Sequence, residues 1–159
     1  MSNPQIAALA QSFERAHGLF LQFVDVCPDD LWASTFGGWP VWQQVAHTFG
    51  AYDYFTHQEG DAPFTPLCSR EVVGLTVQGT EVISKQAIKE FATQAKTRAD
   101  AYLARLTLND LTKRNVGFSN AAGKELDHAF TIGLLATHVF YHLGTCDAGL
   151  RERGLPGLY

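Results

Sequence analysis

The sequence predicts an all-α protein, a four-helix bundle with long interhelix connections, and three observations predict it. Four helical stretches of roughly 18 to 28 residues each can be read: three place apolar residues at three- and four-residue steps, the spacing of one buried helical face, and the fourth is apolar around most of its circumference. All 6 prolines lie at the borders of these stretches or in the connections between them, where a missing N–H does no harm. The only β-branched run outside the helical patterns, "EVVGLTV", is too short and too isolated to build a sheet. With 159 residues, 46% of them apolar and 18% charged, the chain is expected to form one domain over residues 1–159. Such a domain buries roughly two thirds of the surface its unfolded chain exposes.

The first helix opens with Asn3 as N-cap and Pro4 at its first position. Its stripe is Ile6, Leu9, Phe13, Ala16, Phe20 and Phe23, and it stops at Cys27 before Pro28. After "PDDLWASTFGGW" a second helix opens at Pro40, runs through Val41, Val45, Phe49 and Tyr52, and ends near His57, ahead of Gly60 and Pro63. Residues 61–80, with Pro63, Pro66, Gly74 and Gly79, read as a long loop whose "EVVGLTV" run is one irregular extended piece. The third helix spans about Glu81 to Leu106 on Ile88, Phe91, Ala95, Ala99, Tyr102 and Leu106, with Lys85, Lys89, Glu90 and Lys96 on its other faces. A connection at 107–124 follows. The fourth helix starts near Glu125 and continues to Arg153, its last turn basic and its stop supplied by Gly154 and Pro156.

A connection of about twenty residues between the second and third helices can cross an end of the bundle, so up-down-up-down order is not forced. The middle of the fourth helix, "AFTIGLLATHVFYHLG", is apolar around most of its circumference. That pattern calls for central burial or for a second copy of the chain over one face, and a homodimer is expected. A net charge of -4 and the absence of a basic cluster argue against nucleic acid as a partner. Cys27, Cys68 and Cys146 are odd in number and irregular in spacing, which suits reduced thiols. No leader pattern opens the chain and no long uncharged apolar run follows, so a membrane is not expected and the expected location is cytoplasmic.

His138 and His142 lie four positions apart in the fourth helix, hence about 40° apart around it and about 6 Å apart along it. Two imidazoles so placed can reach one metal ion, and a site with three protein ligands keeps a position for water or substrate. His128, ten residues before His138 on the same helix, lies about 15 Å away and cannot share the ion. His57 is too close to the end of its helix. His47, inside the second helix on a face with Gln43, Gln44, Ala51 and Tyr54, is the first choice as third ligand, with His17 in reserve. Against this stands the ordinary alternative: an H-x3-H pair also arises by chance, and a buried histidine is more often a hydrogen-bonded core residue than a ligand.

The segment "PDDLWASTFGGWPVWQQVAHTFGAYDYF", residues 28–55, followed by "HVFYHLGTCDAGLRERG" from His138, resembles the DinB/YfiT-like family of bacterial four-helix proteins. In that family a Trp precedes helix two, a histidine lies within it, helix four carries H-x3-H before a small residue, and the three histidines bind a divalent metal. The resemblance therefore implies His47, His138 and His142 as ligands of a divalent metal, and it releases His17 to the core or surface; three imidazoles suit zinc, nickel, iron or copper, with Zn²⁺ or Ni²⁺ expected first. It covers the whole chain in helix order, although its specific part is about a dozen positions. One departure is Pro40 after Trp39, where the family often has a Ser or Thr cap. Characterised relatives are thiol-dependent transferases and isomerases using low-molecular-weight thiols such as mycothiol, bacillithiol or glutathione. The resemblance thus implies a metal-dependent transferase, isomerase or hydrolase acting on a small molecule. The competing expectation is a non-catalytic, stress-related bundle whose histidines hold a structural ion or none, and which works by binding a partner.

Around these histidines, Tyr54 and Tyr141 are placed to reach the same cavity, with core packing the favoured role for each. Thr145 is expected to bond back to the carbonyl of Tyr141, and Cys146 to be a small buried thiol. Asp53, Asp127 and Glu125 are candidates to orient an imidazole. Trp32, Trp39 and Trp42 are expected to pack the start of helix two. No G-x-S-x-G, phosphate-binding glycine loop, paired CxxC or HExxH occurs, which removes those enzyme classes.

Overall fold

The computed structural model describes residues 3–158. Four long helices form in the order expected: α1 (Pro4–Val26), α2 (Val41–Thr56), α4 (Lys85–Arg105) and α6 (His128–Arg151). Two short ones, α3 (Arg70–Val73) and α5 (Val116–Ala122), lie in the connections. A two-stranded hairpin, β1 (Thr35–Phe36) with β2 (Trp39–Pro40), precedes α2, so the protein is mostly helical.

The ends follow side-chain chemistry. Asn3 Oδ1 accepts from the Gln5 N–H at 2.9 Å, with Pro4 following as expected. Pro40 has no side chain with which to cap α2. The backbone does it instead: Val41 N–H donates to Ser34 O and Trp42 N–H to Trp32 O, each at 3.0 Å. The departure at Pro40 therefore costs the helix start little.

Three expectations need correction. Leu9 is 53% exposed and Ala10 takes its place in the core. "EVVGLTV" is no extended piece: Ser69 caps Val72 N–H and its first residues wind into α3, ending before Leu75 at φ 55. The connection 107–124 contains α5, capped by Asn115 and closed by Gly123 at φ 64, where glycine takes the left-handed conformation without strain. Boundaries also tighten. α4 starts only after its Ser84 cap, and α6 only after Asp127, whose carboxylate accepts from Phe130 N–H at 2.7 Å.

α1 packs on α6 and α4, and α2 packs on α4 and α6, so α1 and α2 face each other across the middle. Their large rings fill that middle: Phe13 meets Tyr52 edge to face at 4.9 Å, and Phe20 meets Phe49 at 5.6 Å. All four are fully buried, each worth about 1.5–3 kcal/mol over exposure. This order is not simple up-down-up-down, and it places α2 directly against α6, the two helices that carry the histidines of interest.

Candidate metal centre

The α2 stripe Val41, Val45, Phe49 and Tyr52 is wholly buried, which turns the next face, Gln43, His47 and Gly50, toward α3 and α6. On α6, the buried positions Leu135, Val139 and Cys146 hold His138 and His142 toward α2. The three rings meet at the contact: centroids of His47, His138 and His142 are 4.9, 4.8 and 4.8 Å apart, an almost equilateral triangle. One nitrogen from each ring lies within 4.8 Å of the others, close enough for modest rotations to bring three imidazoles onto one first-row ion. His47 Nε2 and His138 Nε2 are 3.1 Å apart.

The protonation of this cluster follows from its surroundings. His47 Nδ1 donates to Val73 O at 2.7 Å, which leaves Nε2 of the neutral ring with a lone pair directed at the other two. Burial lowers the pKa of His47. Burial first, and the neighbouring imidazoles second, push His138 down to about 3 and His142 to about 4. All three rings are therefore neutral at pH 7, the form that ligates a metal. The Nδ1 atoms of His138 and His142 are buried with no hydrogen-bond partner among the described residues. Each of those rings carries one lone pair, on Nδ1 or Nε2 according to tautomer, and no other protein group claims Nδ1. A divalent ion fits that donor set.

Among the described residues, no Cys, Asp or Glu joins the three histidines as a fourth donor. Instead a cavity of about 660 Å³ opens beside His47 and His138, within the range of small-molecule sites. One wall is Gly50, Tyr54 and Phe55 from α2; the other is α3 with Val73 and, toward solvent, Arg70 and Glu71. The Phe55 ring stands perpendicular to His138 at 5.2 Å, and the Tyr141 ring stands perpendicular to His142 at 5.0 Å.

The remaining sequence candidates divide. His17 lies elsewhere, its Nδ1 hydrogen-bonded with Tyr52 Oη at 3.1 Å. His128 pairs with Tyr102 Oη at 2.6 Å, and His57 sits near Arg98 and Asp53. Tyr54 and Tyr141 are not core residues, being 42% and 71% exposed, but Tyr54 does line the cavity. Thr145 donates to Tyr141 O at 3.1 Å, as expected. Cys146 is fully buried and its thiol pKa is pushed up. None of the proposed acids orients an imidazole of the three-histidine cluster: Asp53 pairs with Arg98, Glu125 with Arg114, and Asp127 caps α6. Trp32 and Trp42 are buried, and Trp32 Nε1 donates to Ile83 O at 2.8 Å. Arg70, Glu71 and the Val73 carbonyl had no signal in the sequence, because a backbone acceptor on a loop has no residue-type signature.

A family model described as the DinB superfamily matches residues 12–146. No curated protein and no solved structure matches the chain.

Proposed function

The chain belongs to the DinB superfamily, and from that premise we propose that it is a metal-dependent enzyme acting on a small molecule. His47, His138 and His142 are its ligands, for Zn²⁺ or Ni²⁺, in one bundle domain spanning residues 1–159. The observation that carries the reading is the convergence of three neutral imidazoles, without a fourth protein donor among the described residues, beside a cavity of about 660 Å³. A structural site would be closed by a fourth protein ligand; a catalytic one keeps a place for water or substrate.

His47, His138 and His142 would hold the ion, which would supply Lewis acidity that makes a thiol or a water more acidic. The protein's own residues do the rest. Val73 O holds the His47 tautomer, Phe55 and Tyr54 offer an apolar wall that excludes water from one side, and Arg70 and Glu71 set the charge at the mouth. The chain's cysteines do not line this cavity. Burial raises Cys27 to about 11 and moves Cys68 and Cys146 the same way, so a thiol nucleophile would come from the substrate side. A low-molecular-weight thiol as co-substrate, in a transferase or isomerase reaction, fits that distribution; hydrolysis by a bound water is the other chemistry open to the site.

The test is the metal content of the untagged protein beside the His138→Ala, His142→Ala double variant. Near one equivalent in the parent and little in the variant supports the reading and directs a screen of thiol transfer. If both lack metal, and added Zn²⁺ or Ni²⁺ leaves the melting temperature unchanged, the enzyme reading fails.

A further inference from the structure

We propose that α3 is the element that aims His47, and that Gln43 is the positioning residue that seats α3. The inference rests on the three-histidine reading above. Gln43 is fully buried, yet every polar atom of its amide is used on one segment. Nε2 donates to Val72 O at 2.9 Å and to Val77 O at 2.7 Å, and Oε1 accepts from Gly79 N–H at 3.0 Å. One turn on, His47 Nδ1 donates to Val73 O. Another turn on, Gly50 leaves room for Val73: a Cβ there would lie 2.9 Å from Val73 Cγ1. Residues 43, 47 and 50 are spaced i, i+4, i+7, so they form one strip of α2 on which residues 72–79 lie.

A helix of four residues has no stability of its own. Its place comes from that strip, where Gln43 supplies three of the hydrogen bonds and His47 one. The consequence reaches the proposed metal ligand because His47 has no carboxylate partner among the described residues to fix its ring. With α3 seated, Nδ1 keeps the proton and Nε2 presents its lone pair to His138 and His142. With α3 displaced, the ring is free to rotate and to change tautomer. The same segment forms a wall of the cavity, so the ligand's orientation and the cavity's shape depend on one seat.

The experiment measures zinc affinity by chelator competition, with melting temperature alongside, in the full chain and in Gln43→Leu, Gly50→Ala and Gln44→Leu. The last is the control. Gln44 is an equally buried neighbour whose Nε2 donates to Phe36 O at 2.6 Å and Trp39 O at 3.0 Å, and so holds the hairpin instead of α3. Gln43→Leu and Gly50→Ala, which unseat α3 by different physics, are expected to weaken zinc binding about tenfold or more. Gln44→Leu is expected to lower the melting temperature while leaving affinity within about twofold. Unchanged affinity in Gly50→Ala and in Gln43→Leu, or an equal loss in Gln44→Leu, overturns the proposal. If the parent chain takes up neither zinc nor nickel, the metal reading fails separately, and ¹H–¹⁵N spectra of the His47 ring decide the positioning. Loss of the Nδ1–H tautomer in the two α3 variants supports it; retention overturns it.

Discussion

At the scale of the residue, three imidazoles outside and inside the candidate site share one physical property. Burial lowers His17 to about 4, with the Lys96 charge adding to it, and holds His138 near 3 and His142 near 4. An unfolded imidazole titrates near 6.5. Folded pKa values lie below the unfolded one, so in the metal-free protein the unfolded state binds more protons as pH falls through this window. The stability these neutral rings contribute is complete above about pH 6.5 and is lost progressively as pH falls, for His17 and His142 toward about pH 4 and for His138 toward about pH 3. Urea titrations of the metal-free protein from about pH 7.5 to about pH 4 should show the midpoint falling across that window. His17→Gln, which keeps a polar partner for Tyr52 but does not titrate, should flatten the slope. An equal slope in parent and variant would remove His17 from this account.

At the scale of the element, the short helices depend on single polar side chains. Asn115 is fully buried and joins three helices, α2, α5 and α6, with the connection that follows α2. Its Nδ2 donates to Phe55 O at 3.0 Å and Thr131 Oγ1 at 2.9 Å, and its Oδ1 accepts from Phe118 N–H at 3.1 Å and Gln58 Nε2 at 2.8 Å. Asn115→Leu leaves several buried groups without partners, each costing about 1–3 kcal/mol. Its melting temperature should fall sharply, with α5 the first region to gain hydrogen exchange. Ser84 is a simpler case. Its hydroxyl accepts from Ala87 N–H at 3.2 Å and caps α4, so Ser84→Ala should cost about 1 kcal/mol in a denaturant titration and leave metal uptake as it was.

At the scale of the whole molecule, α6 has an outer face unlike the others. Between Asp127 and Asp147 the chain carries no Asp, Glu, Lys or Arg, and Phe130 and Tyr141 on that stretch are 50% and 71% exposed. No helix among the described residues is long and apolar enough to cross a membrane. An uncharged face lets two copies of a chain of net charge -4 meet without like charges opposed. The homodimer we propose would use it. Light scattering should then give twice the 17.5 kDa of one chain, and Phe130→Glu, at an exposed position two turns before His138, should return the monomer while metal content stays unchanged. A monomeric parent at all concentrations would end that proposal.

Periodicity and caps made the four long helices legible: the apolar stripes of α1, α2 and α4 encode which side of each must leave water, and α6 is marked by an apolar run between a start near Glu125 and a basic last turn. The pairing of His47 with His138 and His142 was legible as well: the H-x3-H spacing sets two rings on one line, and the DinB-like pattern selects the third. Other features exist only once the chain is folded. α3 is a few residues whose helicity depends on Gln43 and Ser69, and α5 is a turn held by Asn115, so neither carries a period long enough to read. The cavity beside the three-histidine cluster and the Val73 carbonyl that holds His47 arise from backbone brought beside α2 from a distant loop. Local sequence sets which residues are buried and which can ligate. Only the packing of α3 and α6 against α2 decided which atoms face one another.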